Sequence, residues 1–235
     1  MKHEDIAAFA AQSRAVQSDL AASSGRISYP FENDEDPGFA RADFRVAKRA
    51  FDIGMSVLLL PLLGLSALML LLLNPIRNPG PILFIQERMG RDCKPFRAIK
   101  FRTMTPADRI MRSANCPIET DRITSLGRFL RKSRIDELPQ VLNVLRGEMS
   151  LIGPRPDYYE HACHFLAEVP GYKERHMVRP GISGLAQTEV GYVSGVDATR
   201  RKVQADLHYI NHSGFRLEAW IIWRTLAVIF KREGA

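Results

Sequence analysis

Two adjacent carboxylates, Asp136 and Glu137, lie in the basic segment RKSRIDELPQ at residues 131–140. Acids embedded among cations are typical of a site that binds phosphate and a divalent cation together. Pro139 is tolerated only in the first turn of a helix, so the spacing predicts a helix that Asp136 caps and whose dipole keeps Asp136 ionised. A simple capping aspartate beside a solvated Glu137 is the alternative that this pattern leaves open.

Further cations could bind phosphate near these acids. Lys100 and Arg102 are two apart in a predicted strand over Pro95–Met104, so they share one face, either as a phosphate clamp or as solvated surface. Arg155 lies between two prolines and Arg179 precedes Pro180-Gly181, which gives each guanidinium a stiff backbone.

The spacing of the acid pair excludes one chemistry and favours another. Adjacent residues cannot flank a sugar ring across the separation of about 5 to 9 Å that glycoside hydrolysis requires. One acid that holds a cation and one that attacks as a nucleophile would fit phosphoryl transfer. Neither a P-loop nor a G-x-G-x-x-G motif is present.

An uncharged segment of 21 residues, Ile53–Leu73, matches the length that crosses a bilayer core. Pro61 lies near its middle, and basic residues flank both ends, whereas a spanning helix usually leaves its Lys/Arg excess on one side. We therefore expect a re-entrant membrane helix over residues 44–77, with a spanning helix and a buried core helix as the alternatives.

The composition indicates what kind of molecule the protein binds and in which redox compartment it resides. The 235 residues carry a net charge of +7 with a pI of about 9.5, which favours an acidic partner such as a nucleotide, a lipid phosphate, a membrane surface or a nucleic acid. Three scattered cysteines favour a reducing compartment over a disulfide framework.

The predicted fold class is α+β, a mostly helical membrane-associated domain with short strands and amphipathic interface helices. Residues 1–43 are expected to be a flexible polar extension without chemistry, with a short helix over Ala7–Ala22. Residues 78–235 are expected to form a cytosolic catalytic domain. Its last helix, Arg216–Phe230, carries Trp220 and Trp223 among cations, which suits the membrane surface; packing on the core is the open alternative.

Six ordered blocks of sequence resemble the bacterial sugar transferases, the monotopic polyprenyl-phosphate phosphoglycosyltransferases, in their small catalytic-core form. The resemblance extends from about Phe44 to Lys231, and its blocks are KRAFD (48–52), PGPILFIQERMG (79–90), KPFRAIKFRTM (94–104), SRIDELPQ (133–140), NVLRGEMSLIGPRP (143–156) and VRPGISGLAQ (178–187). One departure is Leu60-Pro61, where the family often has Ser-Pro at the break of the membrane helix.

The resemblance implies a reaction, a place and substrates. Such enzymes move a sugar-1-phosphate from a UDP-sugar to undecaprenyl phosphate, using Mg2+ and a covalent phosphosugar-enzyme intermediate. They act at the cytoplasmic face of the bacterial inner membrane, in contact with membrane lipids and without nucleic acid, and start a capsule, exopolysaccharide or O-antigen unit. A homodimer is a further expectation.

The resemblance also implies roles for individual residues. Asp136 matches the nucleophile, Glu137 the Mg2+ ligand, Arg131 a cation that meets the lipid phosphate, and Arg155 the arginine that contacts the nucleotide. The remaining predicted substrate-binding residues lie in family motifs without a separate role; they are Lys100, Arg102, Arg88, Arg179 and Gln187. A metal-dependent glycosyltransferase that transfers the sugar alone and a non-catalytic membrane adaptor are the rival functions.

Overall fold

A long apolar helix leads into a domain of short strands and helices. The computed structural model describes residues 12–20, 29, 39, 41–106, 120–190 and 196–230. Two predictions from the sequence therefore lie largely outside the described residues: that Tyr29–Gly38 is a loop or linker, and that Thr105–Thr120 is a mobile loop over a site. A third prediction, that residues between Glu189 and Arg200 contact the sugar, lies partly outside them.

Helix α1 extends from Ala42 to Arg77 and remains helical through Pro61 and Pro75. Its 36 residues correspond to about 54 Å at 1.5 Å per residue, longer than the roughly 30 Å hydrocarbon core of a bilayer. Many of its leucines are exposed. Among the described residues it is the one helix long and apolar enough to cross a membrane.

Both flanks of the apolar segment contact the folded domain. On the N-terminal side, Asp52 accepts hydrogen bonds from Ser150 Oγ at 2.8 Å and from the Leu151 amide at 3.1 Å. On the C-terminal side, Leu70 packs with Phe101 and Leu130. The two halves of α1 therefore rest on the same domain.

A β-hairpin follows, in which β1 (Leu83–Met89) pairs antiparallel with β2 (Pro95–Phe101) and Phe84 lies opposite Lys100. The strand predicted over Pro95–Met104 is present but shorter. Because β2 ends at Phe101, Arg102 lies beyond the strand, and the period-two argument that paired it with Lys100 does not apply.

The acid pair lies between two helices. Helix α2 (Ser125–Lys132) begins where the Thr124 side chain accepts a hydrogen bond from the Gly127 amide, and α3 (Gln140–Arg146) ends at Gly147, whose φ of 83° is left-handed. Residues Ile135–Glu137 form a separate 3-10 turn.

The prediction that Asp136 caps α3 is wrong. Pro139 occupies the N-cap position of α3, and no side chain makes a cap hydrogen bond there. The physical reason is the left-handed Arg134, with φ of 58°, which starts a turn of its own before the helix.

The rest of the domain contains a second small sheet, whose two parallel strands are joined by a crossover connection. Strand β3 (Ser150–Ile152) pairs parallel with β4 (Gly181–Ser183). The connection contains α4 (Tyr159–Glu168) and a 3-10 turn, Glu174–His176. Helices α5 (Leu185–Glu189), α6 (Val196–Asn211) and α7 (Phe215–Phe230) complete the mostly helical α+β architecture that was predicted.

The largest core cluster includes part of the N-terminal extension. Leu20 is 2% exposed and Tyr29 7%, and both pack in the cluster that contains Leu207 and Ile221. For these residues the expectation of a flexible tail is wrong, because their apolar side chains are buried. In α7, Ile221 is buried in the core whereas Trp223 is 71% exposed, so this helix packs on the domain and also presents an apolar outer face.

Candidate active site

Glu137 is the centre of a buried cluster of charges and is only 6% exposed. Lys100 Nζ donates to its Oε1 at 2.6 Å. Arg155 donates to both oxygens, with Nη2 at 2.5 Å from Oε1 and Nη1 at 3.3 Å from Oε2. Arg134 Nη1 lies 3.8 Å from Oε2. Strand β2, the 3-10 turn and the loop after β3 thus converge on one carboxylate.

The cluster carries excess positive charge. Burial acts to raise the pKa of Glu137, but the charges of Arg155 and Lys100 outweigh burial and hold that pKa well below its ordinary value. Burial lowers the pKa of Lys100, while Glu137 opposes that effect. Three cations around one ionised carboxylate leave a field that attracts an anion such as a phosphate.

Asp136 lies in a different environment from Glu137. It is 9% exposed, and among the described residues its buried Oδ1 has no hydrogen-bond partner. Burial first, and then the charge of Glu137, raises the pKa of Asp136 to about 6, against the opposing charges of Lys100, Arg155 and Arg131. The shift is opposite in direction to the one expected from a helix dipole, although the carboxylate is still mostly ionised at pH 7.

Arg131 and Arg88 flank this cluster. Arg131 Nε donates to Thr103 Oγ1 at 3.0 Å. Arg88 Nη1 donates to the Pro156 carbonyl at 2.7 Å, and Arg88 lines a small open pocket together with Lys100 and Arg155. The three cations in its lining give this pocket a positive field that suits an anionic group such as a phosphate.

Arg102 does not join the predicted clamp with Lys100. Its Nε donates to the Pro81 carbonyl at 2.6 Å, its Nη1 to the Met104 carbonyl at 2.9 Å, and its Nη2 to the Asn78 carbonyl. Two of these carbonyls, those of Asn78 and Pro81, belong to the backbone that follows α1. The arrangement indicates that Arg102 fastens the end of α1 to the domain.

Arg179 and Gln187 lie at different distances from the cluster. Arg179 Nε donates to the Gly147 carbonyl at the end of α3, at 2.9 Å. Gln187 Nε2 donates to the Ile182 carbonyl at 3.0 Å, the same oxygen that lies 3.5 Å from Arg155 Nη1. Gln187 is therefore a neighbour of Arg155, whereas the described contacts of Arg179 are with the backbone.

Sequence reasoning gave no role to some residues that shape the site. Gln140 lines the pocket, and nothing in its position directly after Pro139 predicts that it does. Arg175 and Asp157 hold the backbone of the Arg155 loop from inside the domain. The one sequence feature that could have indicated this role is that Asp157 directly follows the Pro-Arg-Pro segment.

The described residues hold no cluster of three His, Cys, Asp or Glu side chains that would bind a metal alone. Magnesium is often held by one or two carboxylates together with substrate phosphates, and the pair at 136–137 fits that mode. The unpartnered Asp136 Oδ1 is the observation that supports the fit. Glu137 could join only if a metal displaced one of its cations.

Comparison with known proteins identifies the family. The family model described as bacterial sugar transferase matches residues 44–232. The chain belongs to the bacterial sugar transferase family. The match contains α1 from Phe44 onward, the acid pair and every cation described above, and it begins after the N-terminal extension.

Curated relatives in this family carry names that specify their substrates. The chain is 41% identical over 189 residues to the UDP-N-acetylgalactosamine-undecaprenyl-phosphate N-acetylgalactosaminephosphotransferase of Aeromonas hydrophila, with 80% of this chain and 44% of that protein covered. It is 39% identical over 186 residues to the UDP-glucose:undecaprenyl-phosphate glucose-1-phosphate transferase of Caulobacter vibrioides, covering 78% of this chain and 67% of that one.

A third relative is matched over nearly its whole length. The chain is 37% identical over 194 residues to the exopolysaccharide production protein PSS of Rhizobium leguminosarum, with 77% of this chain and 94% of that protein covered. By contrast, the chain spans less than half the length of the Aeromonas sugar transferase.

Proposed function

We propose that this bacterial sugar transferase moves a sugar-1-phosphate from a UDP-sugar to undecaprenyl phosphate and releases UMP, through a covalent phosphosugar on Asp136. The observation that carries the proposal is the buried, unpartnered Asp136 Oδ1 beside a cluster of cations. The names of the relatives, which specify this reaction, support it. The product would initiate a polysaccharide such as an exopolysaccharide.

In the first step, an Asp136 oxygen attacks the phosphorus that bears the sugar. The bond from that phosphorus to the UMP oxygen breaks, and UMP leaves with the electron pair. In the second step, a phosphate oxygen of undecaprenyl phosphate attacks the same phosphorus, and the acyl-phosphate bond breaks to regenerate the Asp136 carboxylate. Lys100 and Arg155 stand where they can neutralise the charge on the transferred phosphoryl group.

Magnesium is part of the proposal, with Glu137 as its ligand and Asp136 as its neighbour. When bound, it would neutralise phosphate charge and favour departure of UMP. Arg155 and Lys100 keep the Glu137 carboxylate ionised at neutral pH, and the metal would take the place of one of the cations that contact it. Chelation of the metal should abolish UMP release, and added Mg2+ should restore it.

The enzyme is proposed to act at the cytoplasmic face of the inner membrane, with α1 as a re-entrant anchor. Support comes from the contacts of Asp52 and Leu70, on either side of Pro61, with one folded domain. The exposed face of α7 around Trp223 would lie at the membrane surface, and a homodimer stays a prediction.

Labelling of engineered cysteines tests the topology. Val46→Cys and Pro79→Cys lie at exposed positions on the two flanks of the apolar segment. In a background without the native cysteines, both should react with an impermeant reagent from the cytoplasmic side only. Periplasmic labelling at residue 79 would exclude the re-entrant arrangement.

A product assay tests the reaction itself. Purified enzyme is incubated with undecaprenyl phosphate and a set of UDP-sugars, and the nucleotide released is identified. UMP supports phosphosugar transfer, UDP indicates transfer of the sugar alone, and neither product from any donor supports an adaptor.

Two conservative variants test the covalent step. Asp136→Asn should lose turnover, because an amide cannot form the acyl-phosphate, and full activity in this variant would exclude the mechanism. Glu137→Gln should be strongly impaired and should respond abnormally to Mg2+ titration, because its carboxamide is a weaker metal ligand.

A further inference from the structure

Arg175 lies in the protein interior, directly behind the loop that carries Arg155. Its side chain is wholly buried. Nε donates to Asp206 Oδ2 at 2.8 Å, Nη1 to Asp157 Oδ2 at 2.6 Å, and Nη2 to the Arg155 carbonyl at 2.7 Å. One rigid guanidinium therefore joins helix α6 to the backbone of an active-site residue.

The surroundings of Arg175 are balanced in charge. Asp157 also accepts hydrogen bonds from Tyr172 Oη at 2.8 Å and from Lys202 Nζ at 3.1 Å. Two cations and two carboxylates thus neutralise one another in the interior. Buried ion pairs are often no more stabilising than apolar residues of the same volume, whereas the planar fork of an arginine fixes the direction of each bond. This points to a role in geometry.

Three successive carbonyls of the loop are each held by a donor from another segment. Arg175 binds the carbonyl of Arg155, Arg88 Nη1 binds that of Pro156 at 2.7 Å, and the Met89 amide binds that of Asp157 at 3.1 Å. The loop is consequently fixed between α6 and β1. From this fixed backbone, the guanidinium of Arg155 contacts Glu137.

We infer that Arg175 is a positioning residue that acts on phosphosugar transfer through Arg155. The inference rests on the proposed function. Lysine at this position keeps the charge that faces Asp157 and Asp206, but one ammonium cannot hold the two carboxylates and the carbonyl in a single plane. A displacement of about 1 Å in a substrate-contacting group can cost about a hundredfold in rate.

A double-mutant cycle tests the inference. UMP release is measured for the wild type, Arg175→Lys, Arg155→Ala and the double variant, with kcat and KM determined separately. We expect Arg175→Lys to lower kcat/KM by about ten- to a hundredfold when Arg155 is present. When Arg155 is absent, the same change should cost less than about twofold, because coupled residues are not additive.

The alternative outcomes overturn the inference in distinguishable ways. Equal factors in both backgrounds would show that Arg175 acts on the whole domain and not through Arg155. A slow Arg175→Lys variant beside a fully active Arg155→Ala variant would show the same. Wild-type enzyme that releases no UMP from any donor would remove the proposed function itself, and this inference with it.

A milder variant keeps the test valid if Arg175→Lys fails to fold. Asp206→Asn preserves the shape of the partner and an oxygen that can accept from Arg175 Nε but removes its charge, so it should give the same pattern with smaller factors. Tyr172→Phe is the matched control, because it removes a donor to Asp157 but none to the Arg155 carbonyl. Its kcat/KM should fall by a smaller factor than that of Arg175→Lys, because Arg175 and Lys202 still bind Asp157; an equal or larger fall would contradict the inference.

Discussion

At the scale of single residues, neighbouring side chains in this site differ in what surrounds them. Glu137 contacts three cations, while Asp136 beside it has an oxygen without a donor among the described residues. Lys100 points at the carboxylate, and Arg102, two residues later, binds backbone carbonyls. The two members of each pair are similar in chemical type, and they differ in the groups that they contact.

The contrast between Lys100 and Arg102 gives a paired prediction. Lys100→Gln should lower the rate of UMP release by at least about tenfold, because a charged hydrogen bond to a phosphoryl group is typically worth more than about 1.4 kcal/mol. Arg102→Gln should instead lower the melting temperature, since each buried carbonyl left unpaired costs about 1–3 kcal/mol. Activity and thermal unfolding are measured on both variants.

The opposite pattern would contradict this assignment. If Arg102→Gln kept wild-type stability but bound substrate more weakly, the result would support the hypothesis that Arg102 and Lys100 form a phosphate clamp.

His176 predicts a pH dependence of stability. Burial, and next the charge of Arg175, lowers its pKa from 6.5 to about 3. The unfolded chain therefore binds a proton below pH 6.5 that the folded chain does not bind until about pH 3. Stability from this residue is present above the unfolded pKa and is lost as the pH falls, by up to about 1.4 kcal/mol per pH unit.

Thermal unfolding in detergent between about pH 7 and pH 5, on either side of the unfolded pKa, checks this expectation. His176→Gln should flatten the decline in melting temperature, and His164→Gln, at a half-exposed position, is the control that should leave it unchanged. An identical decline in all three proteins would contradict the prediction.

At the scale of elements, a buried ion pair holds the start of α1 on the domain. Lys48 Nζ donates to Glu218 Oε2 at 2.7 Å, and Tyr209 Oη donates to the other oxygen of Glu218. Helices α1, α6 and α7 thus meet at one carboxylate. Because all three groups are buried, removing a single partner leaves a charge without compensation.

A combination of variants tests this junction. Lys48→Met should destabilise the fold by about 3–5 kcal/mol, because the Glu218 carboxylate is then buried without a cation. Lys48→Met with Glu218→Gln should recover much of the loss, since the neutral amide oxygen at position 218 can still accept from Tyr209. A double variant less stable than Lys48→Met, judged by melting temperature, would contradict this account.

Local patterns were sufficient to predict the elements but not the site geometry. The uncharged run at 53–73 placed the interior of α1, and the alternation after Pro95 placed β2 except for its end. The assignment of Asp136 as a helix cap failed because the left-handed Arg134 inserts a turn. No local pattern shows that an arginine such as Arg102 binds the backbone of a residue as distant in the chain as Pro81.

At the scale of the whole molecule, the N-terminal extension is attached to the folded domain. Leu20 and Tyr29 enter the main core, and the Tyr29 ring lies 4.9 Å from that of His208 on α6. Gln17 Oε1 accepts a hydrogen bond from Asn211 Nδ2 at 2.7 Å. Since the family match begins at residue 44, this packing is an addition to the family domain.

Leu20→Ala tests whether the extension contributes to stability. Loss of a buried leucine in a packed core costs about 2–5 kcal/mol, so the melting temperature should fall. Ser18→Ala, at an exposed position two residues earlier, is the control that should leave it unchanged. Equal melting temperatures for both variants would show that the extension packs too weakly to matter.

The junction between Lys48 and Glu218 also has a consequence for the order of synthesis. The two residues are 170 positions apart, so the ribosome completes α1 long before it makes the carboxylate that receives Lys48. Until α7 emerges, the lysine can stay charged only where water or lipid headgroups solvate it. In the proposed topology, the nascent α1 should therefore remain at the membrane interface and reach its final position only when the last helix has been translated.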